Sequence, residues 1–322
     1  MPKTVLSFIV LLVFTLSFAE MACPADYPSR PVEVIVGFAP GGGVDVLFRV
    51  IAKHLSQELK KPIIVINKPG GGTIPAILDA MKAKPDGYTL LCDSNAHSSY
   101  QMGRKDIPFD PLERTFICKI AQCPHVLFCD PKLPWNNLSD VAAFLKEKPD
   151  QFTWGGMGGP STTSYSQLQF FHLTGANLKK LKKVVYTGSG PILTAVAGGH
   201  VQFGSAGASA VPPFQQSGKV RSLVVTGGQV LKALPGVPSA KESGYPGVNV
   251  AMWDGLSGPL NLPREVITRI NQAVKKVIQS PELLADLEKI ASVPVYEDPE
   301  SFKKSVIEEG EFAKKIREGT GE

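Results

Sequence analysis

The sequence predicts an α/β protein of two lobes, each a mostly parallel sheet flanked by helices, with a ligand cleft between the lobes. Three observations predict it. Short β-branched runs alternate with helical periodicities along most of the chain, the pattern of doubly wound sheets. Glycine-rich loops follow strands in both the N-terminal and the central part, so the βα pattern occurs twice. The length, 322 residues, is enough for two domains or one large one. Ligands in such sheets sit beyond the carboxyl ends of the strands. Two sets of strand-end loops that face each other therefore suggest a cleft.

Val34-Ile35-Val36 belongs to the first strand, because it is apolar and rich in β-branched residues. Gly37-Phe38-Ala39-Pro40-Gly41-Gly42-Gly43 interrupts it, and from Val46 the apolar residues return at helical spacing. Consecutive glycines let a backbone approach a ligand closely. The helix that follows offers unpaired amides and a positive dipole end, which favour an anion. The same residues also fit a plain strand-to-helix turn. No Gly-Lys-Ser/Thr follows and the Gly-x-Gly-x-x-Gly spacing is absent, which excludes a P-loop and a dinucleotide fingerprint.

Residues 62–67 form the second strand and end in Lys68-Pro69-Gly70-Gly71-Gly72. Residues 74–83 read as helix, and 88–92 as a third strand that runs into Asp93-Ser94-Asn95-Ala96-His97. The pattern restarts at 126–129. A helix over 138–148 and a strand over 152–154 lead to the glycine-rich loop 155–163. A helix over 164–173 follows, with Thr162 or Thr163 as its N-cap. Strands over 183–186, 202–206 and 221–226 and a helix over 192–197 complete this half. Prolines open the last helices, at 263–280, 281–290 and 299–317, where a missing N–H costs nothing.

The N-terminus predicts export. Lys3 precedes an apolar stretch at 5–18, and Ser17-Phe18-Ala19 supplies the small residues a signal peptidase needs. Residues 1–22 are read as a signal peptide cut near Ala19 or Ala22, which places the protein in the periplasm. Lipid anchoring at Cys23 is the alternative, but Glu20 stands where a lipobox wants an aliphatic residue. No other stretch is long enough to span a membrane. Export permits disulfides. Cys92, Cys118, Cys123 and Cys129 fit no zinc spacing; Cys118 and Cys123 are near enough in sequence to bridge, and buried free thiols are the other reading. The formal charge of +5 is spread out. The lysine runs at 60–61 and 179–183 lack aromatic or motif company, so no nucleic-acid partner is expected.

No histidines stand at metal-ligand spacing and no Gly-x-Ser-x-Gly elbow occurs, so neither a metal site nor a hydrolase triad is predicted. Nothing supplies a base–nucleophile pair; no enzyme activity and no cofactor are expected. His54 and His172 fall on helical patterns as surface or capping residues, whereas His97, in a strand-end loop, is a candidate ligand contact. Ser161 reads as a hydroxyl donor to a bound carboxylate, and Asp45 as an N-cap or first-turn acid. Phe38, Tyr186 and Trp253 read either as cleft walls or as core. The chemistry that emerges is recognition without reaction: amides and hydroxyls from two loops clasping a carboxylate without an arginine.

A collinear set of short motifs carries a resemblance. Tyr27-Pro28-Ser29-Arg30-Pro31-Val32, Phe38-Ala39-Pro40-Gly41-Gly42-Gly43-Val44-Asp45, Asn67-Lys68-Pro69-Gly70-Gly71-Gly72, Pro85-Asp86-Gly87-Tyr88, Tyr186-Thr187-Gly188-Ser189-Gly190-Pro191 and Leu234-Pro235-Gly236-Val237-Pro238 occur in one unbroken order. In them the chain resembles the tripartite tricarboxylate transporter receptor family, also called Bug proteins. The resemblance implies a type II-like periplasmic solute-binding protein, a Venus-flytrap whose lobes close on an organic carboxylate. It implies that the protein is a monomer and passes its ligand to membrane transporter subunits. Lobe 1 is expected to span residues 23–124 and 227–322, and lobe 2 residues 125–226.

Carried onto this chain, the ligand sites from the first loop are Phe38, Pro40, Gly41, Gly42, Gly43, Val44 and Asp45. The second loop contributes Gly156, Gly158, Gly159, Ser161 and Thr162. Asn95, His97, Tyr186, Ser205 and Trp253 complete the expected set. The chain departs from the family pattern at Gly156, Pro160 and Ser164 in the second loop, at Ala195 where an acid is common, and at Gln202 where Asp is common. Fewer acids in the second lobe disfavour an amine-bearing ligand such as an amino acid and favour a dicarboxylate or aromatic carboxylate. The alternatives are a subunit that presents its ligand to a signalling receptor, or an exported hydrolytic enzyme using Ser161 or His97.

Overall fold

The computed structural model describes residues 27–158 and 161–320. The expected signal peptide, Cys23, Gly159 and Pro160 lie outside the described residues. In the first half of the fold, β1 (Val32–Val36), α1 (Gly43–Leu59), β2 (Ile63–Asn67), α2 (Ile74–Met81) and β3 (Thr89–Ser94) alternate. The long strand β4 (Thr115–Cys129) then carries the chain across. The second half contains α3 (Leu138–Glu147), β5 (Thr153–Met157), α4 (Thr162–Leu173), β6 (Lys182–Tyr186), α5 (Ser189–Ala197), β7 (Phe203–Gly207), α6 (Pro212–Gln216) and β8 (Arg221–Val225). The strand β9 (Ala251–Gly258) returns to the first half, followed by α7 (Arg264–Val277), α8 (Pro281–Lys289), β10 (Val293–Glu297) and α9 (Pro299–Thr320).

One sheet runs through both halves in the order β2-β1-β3-β9-β4-β7-β5-β6, with β8 and β10 pairing β4 off that path. Thr115 to Pro124 of β4 pair with β9, while His125 to Cys129 pair with β7 and β8. The change of partner at Pro124–His125 divides the sheet. The expectation of mostly parallel sheets holds only for the outer strands: β2-β1, β1-β3, β5-β6 and β5-β7 are parallel, and every pairing of β4 and β9 is antiparallel. A crossover helix makes its two strands parallel, but β4 and β9 shuttle between the halves and run against their neighbours.

The return crossing also falls later than expected. Leu231, Leu234 and Val237 pack with Val126, Phe128 and Ile192 of the second half, and Val248 and Val250 with Phe152 and Phe171. Val225 donates its N–H to Pro238 O, and Ala240 N–H donates to Val225 O. Residues 227–250 thus belong with the second half, and the chain crosses back at Val250–Ala251 rather than at Thr226. Late in the chain, α9 reaches both halves: Phe302 and Val306 pack with Phe116 and Trp253, and Ala313 and Ile316 join the core of the second half.

Local sequence explains the elements that carry the site. Val44, Leu47, Phe48, Ile51 and Leu55 recur at three- and four-residue spacing and bury one face of α1. The helix stops at Lys60, which turns left-handed at φ 55°. It starts at Gly43, three residues before the expected Val46. His54, expected as a surface or capping residue, is buried with Nε2 3.0 Å from Asp286 Oδ2 on α8. Cys92, Cys118, Cys123 and Cys129 are free and buried. Cys118 and Cys123 lie five residues apart on one extended strand, about 16 Å, which is beyond disulfide reach. Among the described residues no helix is long and apolar enough to cross a membrane.

Candidate functional site

A cavity of about 250 Å³ opens beyond the carboxyl ends of β1, β3 and β5 and beside the first residues of β9. The first half contributes Phe38, Gly43, Val44, Ser94, Asn95 and Ala96; the second contributes Met157, Ser161, Thr162 and Thr163. Tyr100 and Met252 complete the lining. None of these side chains carries a charge at neutral pH. An anion here meets only backbone dipoles, hydroxyls and apolar surface.

The first wall is the turn from β1 into α1. Gly42 caps the helix without a side-chain hydrogen bond, so the amides of Gly43 and Val44 reach the cavity edge uncapped. Gly41 holds the turn at φ 80°, a left-handed conformation that glycine adopts without strain. Asp45 locks the turn from below. Its Oδ2 accepts from Gly41 N–H (2.9 Å), Arg49 Nε lies 2.9 Å from both oxygens, and Asn67 Nδ2 donates to Oδ1 (2.7 Å). Burial alone raises the Asp45 pKa, but hydrogen bonds from Arg49, Asn67 and Gly41 outweigh it and hold the carboxyl below its usual range. Asp45 is 1% exposed and its charge is met by Arg49, so it braces the wall rather than facing a ligand.

The second wall is the turn from β5 into α4. Ser161 is the N-cap; its hydroxyl accepts from Ser164 N–H at 3.1 Å, whereas Thr162 or Thr163 was expected in that place. Both threonines lie inside the first turn, with their amides at the cavity. Ser164 Oγ in turn accepts from Met157 N–H (2.8 Å) and ties the end of β5 to the helix. Thr163 Oγ1 lies 3.1 Å from Ser189 Oγ and 3.5 Å from His125 Nε2. The dipoles of α1 and α4 thus both direct positive ends at one uncharged cavity.

Between the walls, Ser94 lines the cavity and its Oγ sits 2.7 Å from His97 Nδ1. His97 is fully buried beneath Phe38, edge-to-face at 5.3 Å between ring centroids. Burial pushes its pKa down to about 4, with Asp93 and Arg114 acting in opposite senses. His125 is buried likewise and also falls to about 4. Both imidazoles are neutral at pH 7. The side chain of Asn95 is engaged behind the cavity, donating to Ala251 O (3.1 Å) and to Glu309, and accepting from Trp253 N–H (3.2 Å). On β9, Asp254 is paired in register with Ser94 and is fully buried beside the Cys92 thiol, and burial raises its pKa well above the carboxylate range.

Six of the expected site residues line this cavity: Phe38, Gly43, Val44, Asn95, Ser161 and Thr162. Pro40, Gly41 and Gly42 belong to the first turn but sit outside the lining, and Asp45 and His97 stand behind it. Of the others, the structure does not bring in those among the described residues. Gly156 lies buried within β5, where a Cβ would come within 2.7 Å of the Trp154 ring, so its role is packing. Gly158 is exposed beside Val185. Tyr186 packs with Ile192 over Gly155. Ser205 Oγ is held by Ser166 Oγ at 2.7 Å in the core. Trp253 points away because neighbouring strand residues alternate faces: Met252 meets the cavity, while Trp253 Nε1 donates to Glu309 Oε2 (2.9 Å) on the opposite side of β9. There it lines a larger cavity, about 410 Å³, with Lys119 and Glu297, which already pair with each other at 3.1 Å. Sequence reasoning missed Ser94, Ala96, Tyr100, Met157, Thr163 and Met252. Ser94 and Ala96 flank residues it did select, whereas Tyr100 and Met252 enter only through strand pairing and tertiary packing.

Among the described residues no group of His, Cys, Asp and Glu is arranged to hold a metal ion. Comparison with known proteins agrees with the geometry. Residues 47–321 match the model of the tripartite tricarboxylate transporter family receptor. BugT of Bordetella pertussis is 28% identical over 309 residues, which cover 94% of this chain and 93% of BugT. An R. palustris protein solved with adipate superposes with a TM-score of 0.73 at 27% identity, covering 92% of this chain and 99% of that one. MatC from Rhodopseudomonas palustris, with bound malate, has a TM-score of 0.68 at 25% identity, covering 90% and 99%. The fold is that of periplasmic solute-binding receptors, and this chain belongs to the tripartite tricarboxylate transporter receptor family.

Proposed function

We propose that this protein is an exported, monomeric receptor that closes two lobes on a small dicarboxylate or aromatic carboxylate and delivers it to a membrane transporter. The lobes comprise residues 27–124 with 251–320, and residues 125–250. The observation that carries this reading is the convergence of two helix N-termini, α1 and α4, on a cavity with no charged lining. A carboxylate gains from both dipoles and from the free first-turn amides. The adipate and malate held by similar proteins support the same ligand class. No acidic side chain lines the cavity to meet an ammonium group, so a plain carboxylate suits it better than an amino acid.

Binding without turnover is the second part of the reading. Ser94 and His97 do form a hydroxyl–imidazole contact at the cavity. A general base works best with a pKa near the operating pH, and burial has pushed His97 to about 4. Its Nε2 also lacks the partner that would orient a catalytic imidazole. The pair therefore serves recognition.

A thermal-shift screen of the mature protein against mono-, di- and aromatic carboxylates and amino acids tests the proposal. A ligand that binds only the native state raises Tm with concentration. The expected result is a shift with one carboxylate class, retained after denaturation and refolding to strip copurified ligand. A refolded protein that responds to amino acids alone, or to none of these compounds, contradicts the proposal.

A further inference from the structure

Ser94 is the hydroxyl nearest a buried imidazole in the cavity lining, and the direction of its proton decides what it offers a ligand. If Ser94 donates to His97, only lone pairs face the cavity, which repel a carboxylate. If His97 donates to Ser94, the hydroxyl proton is free to point at the ligand. The two arrangements correspond to the two tautomers of a neutral imidazole.

We propose that His97 is a positioning residue whose Nδ1–H donates to Ser94 Oγ, so that the Ser94 hydroxyl is aimed into the cavity as a hydrogen-bond donor to a ligand carboxylate. This deepens the carboxylate reading and rests on it. The surroundings of the second ring nitrogen select this tautomer. Ser94 Oγ and His97 Nδ1 are hydrogen-bonded at 2.7 Å, in a contact that either could donate. His97 Nε2 is buried with no hydrogen-bond partner. Placing the proton on Nδ1 leaves a bare lone pair there, whereas the other tautomer buries an unpaired N–H, which folded proteins rarely tolerate.

The imidazole lies against the first wall: a Cβ on Gly37 would come within 2.3 Å of Nε2, and the Phe38 ring covers the imidazole from the side. The turn that carries it is pinned. Arg114 Nη2 donates to His97 O (3.1 Å), and Asp93 Oδ1 accepts from Ser94 N–H (2.9 Å) and Ser98 Oγ (2.6 Å). Asp93 and Arg114 face each other at 3.4 Å, fully buried, and their charges offset beside the imidazole. His97 therefore reads the position of the first wall through Gly37 and Phe38 and sets the donor on the floor.

The tautomer is read directly by nitrogen NMR of protein labelled at histidine, first without ligand and then with adipate. The His97 resonance is assigned by its loss in His97→Asn. The expected spectrum shows a proton on Nδ1 and a bare Nε2 in both states. A proton on Nε2, or a charged ring at pH 7, overturns the proposal whether or not adipate binds. Affinity supplies the second readout. Ser94→Ala and His97→Leu are each expected to weaken adipate about tenfold, with the double variant no worse than either alone, because they remove one shared interaction. His97→Asn, which keeps an N–H near the Nδ1 position, is expected to recover most of the loss. Full affinity in Ser94→Ala, or additive losses, contradicts the positioning role. Wild-type protein that binds no carboxylate contradicts the ligand reading itself.

Discussion

The two walls of the cleft use one device and build it differently. Each places a helix N-terminus just past a strand, at α1 and at α4. The first wall is glycine backbone flanked by Phe38 and Val44, braced from behind by Asp45, Arg49 and Asn67. The second wall is made of hydroxyls, with Ser161 capping and Ser164 tying the helix back to β5. The cores behind them differ too. The first is mainly aliphatic, around Val34, Leu47, Ile51 and Leu90, and the second is a cluster of rings around Phe152, Phe171 and Phe203. The comparison teaches that an anion site needs a particular placement of amides rather than a particular sequence. A bare glycine turn exposes more backbone, and a hydroxyl turn adds donors at the expense of capping part of its own helix.

Breaking the first wall should have the largest effect on binding. In Gly43→Val the new branches enter the cavity edge, and its Cβ already meets Met252 Sδ at 3.0 Å. Calorimetry is expected to show adipate affinity reduced at least about a hundredfold, with the unliganded Tm lowered only slightly. The corresponding change at exposed Gly158 is expected to leave affinity within about twofold, because that position is outside the lining.

Acid tests what the two walls share. His97 and His125 are buried neutral behind them, each with its pKa lowered to about 4 from 6.5. The unfolded chain takes up these protons as pH falls below 6.5, while the folded chain resists until about 4. Stability contributed by the neutral rings is therefore present above 6.5 and lost between 6.5 and 4, on the order of 3 kcal/mol per histidine. Denaturant unfolding across this range checks the slope, and His125→Gln is expected to flatten about half of it.

Asp45→Ala removes the brace of the first wall and leaves the Gly41 amide without its acceptor. A loss of about 2–3 kcal/mol is expected, read by urea unfolding, together with weaker ligand binding. Ser161→Ala probes the second wall and is expected to cost about 1 kcal/mol, the usual worth of an N-cap hydroxyl. Equal losses for the two would erase the contrast between a braced and a capped turn. Asp254 gives the opposite sign. Its pKa is raised in the fold, so its contribution is greatest at low pH and is lost as pH rises above the ordinary carboxylate range. Asp254→Asn is therefore expected to raise Tm slightly at pH 8 and to leave it unchanged near pH 4.

The sequence carried the outer βα units clearly, because Val32–Val36, Ile63–Asn67 and the helices between them have unambiguous periodicity. The central strands were hidden for physical reasons. In β4, Lys119, Gln122 and Pro124 interrupt the apolar run, and the strand changes partners midway. In β9, Asp254 and three small residues, Gly255, Ser257 and Gly258, give no β-branched signal. In β10, Pro294 speaks against a strand, and only an irregular edge pairing with β4 accommodates it. The glycine turn and Ser161 were visible as local chemistry. The brace on Asp45 was not, since Asn67 joins it from 22 residues away. Met252 faces the cleft where Trp253 was a candidate, because strand phase decides which residue faces it and β9 itself was unseen.

The most direct test is titration calorimetry of refolded protein with adipate and, separately, with its uncharged diamide. Two helix dipoles and free first-turn amides on an uncharged cavity favour the anion over an equally shaped neutral molecule. One adipate per chain, with binding at least about tenfold tighter than the diamide and abolished by Gly43→Val, is the predicted result. Equal affinity for acid and diamide, or adipate binding that survives Gly43→Val intact, contradicts the account.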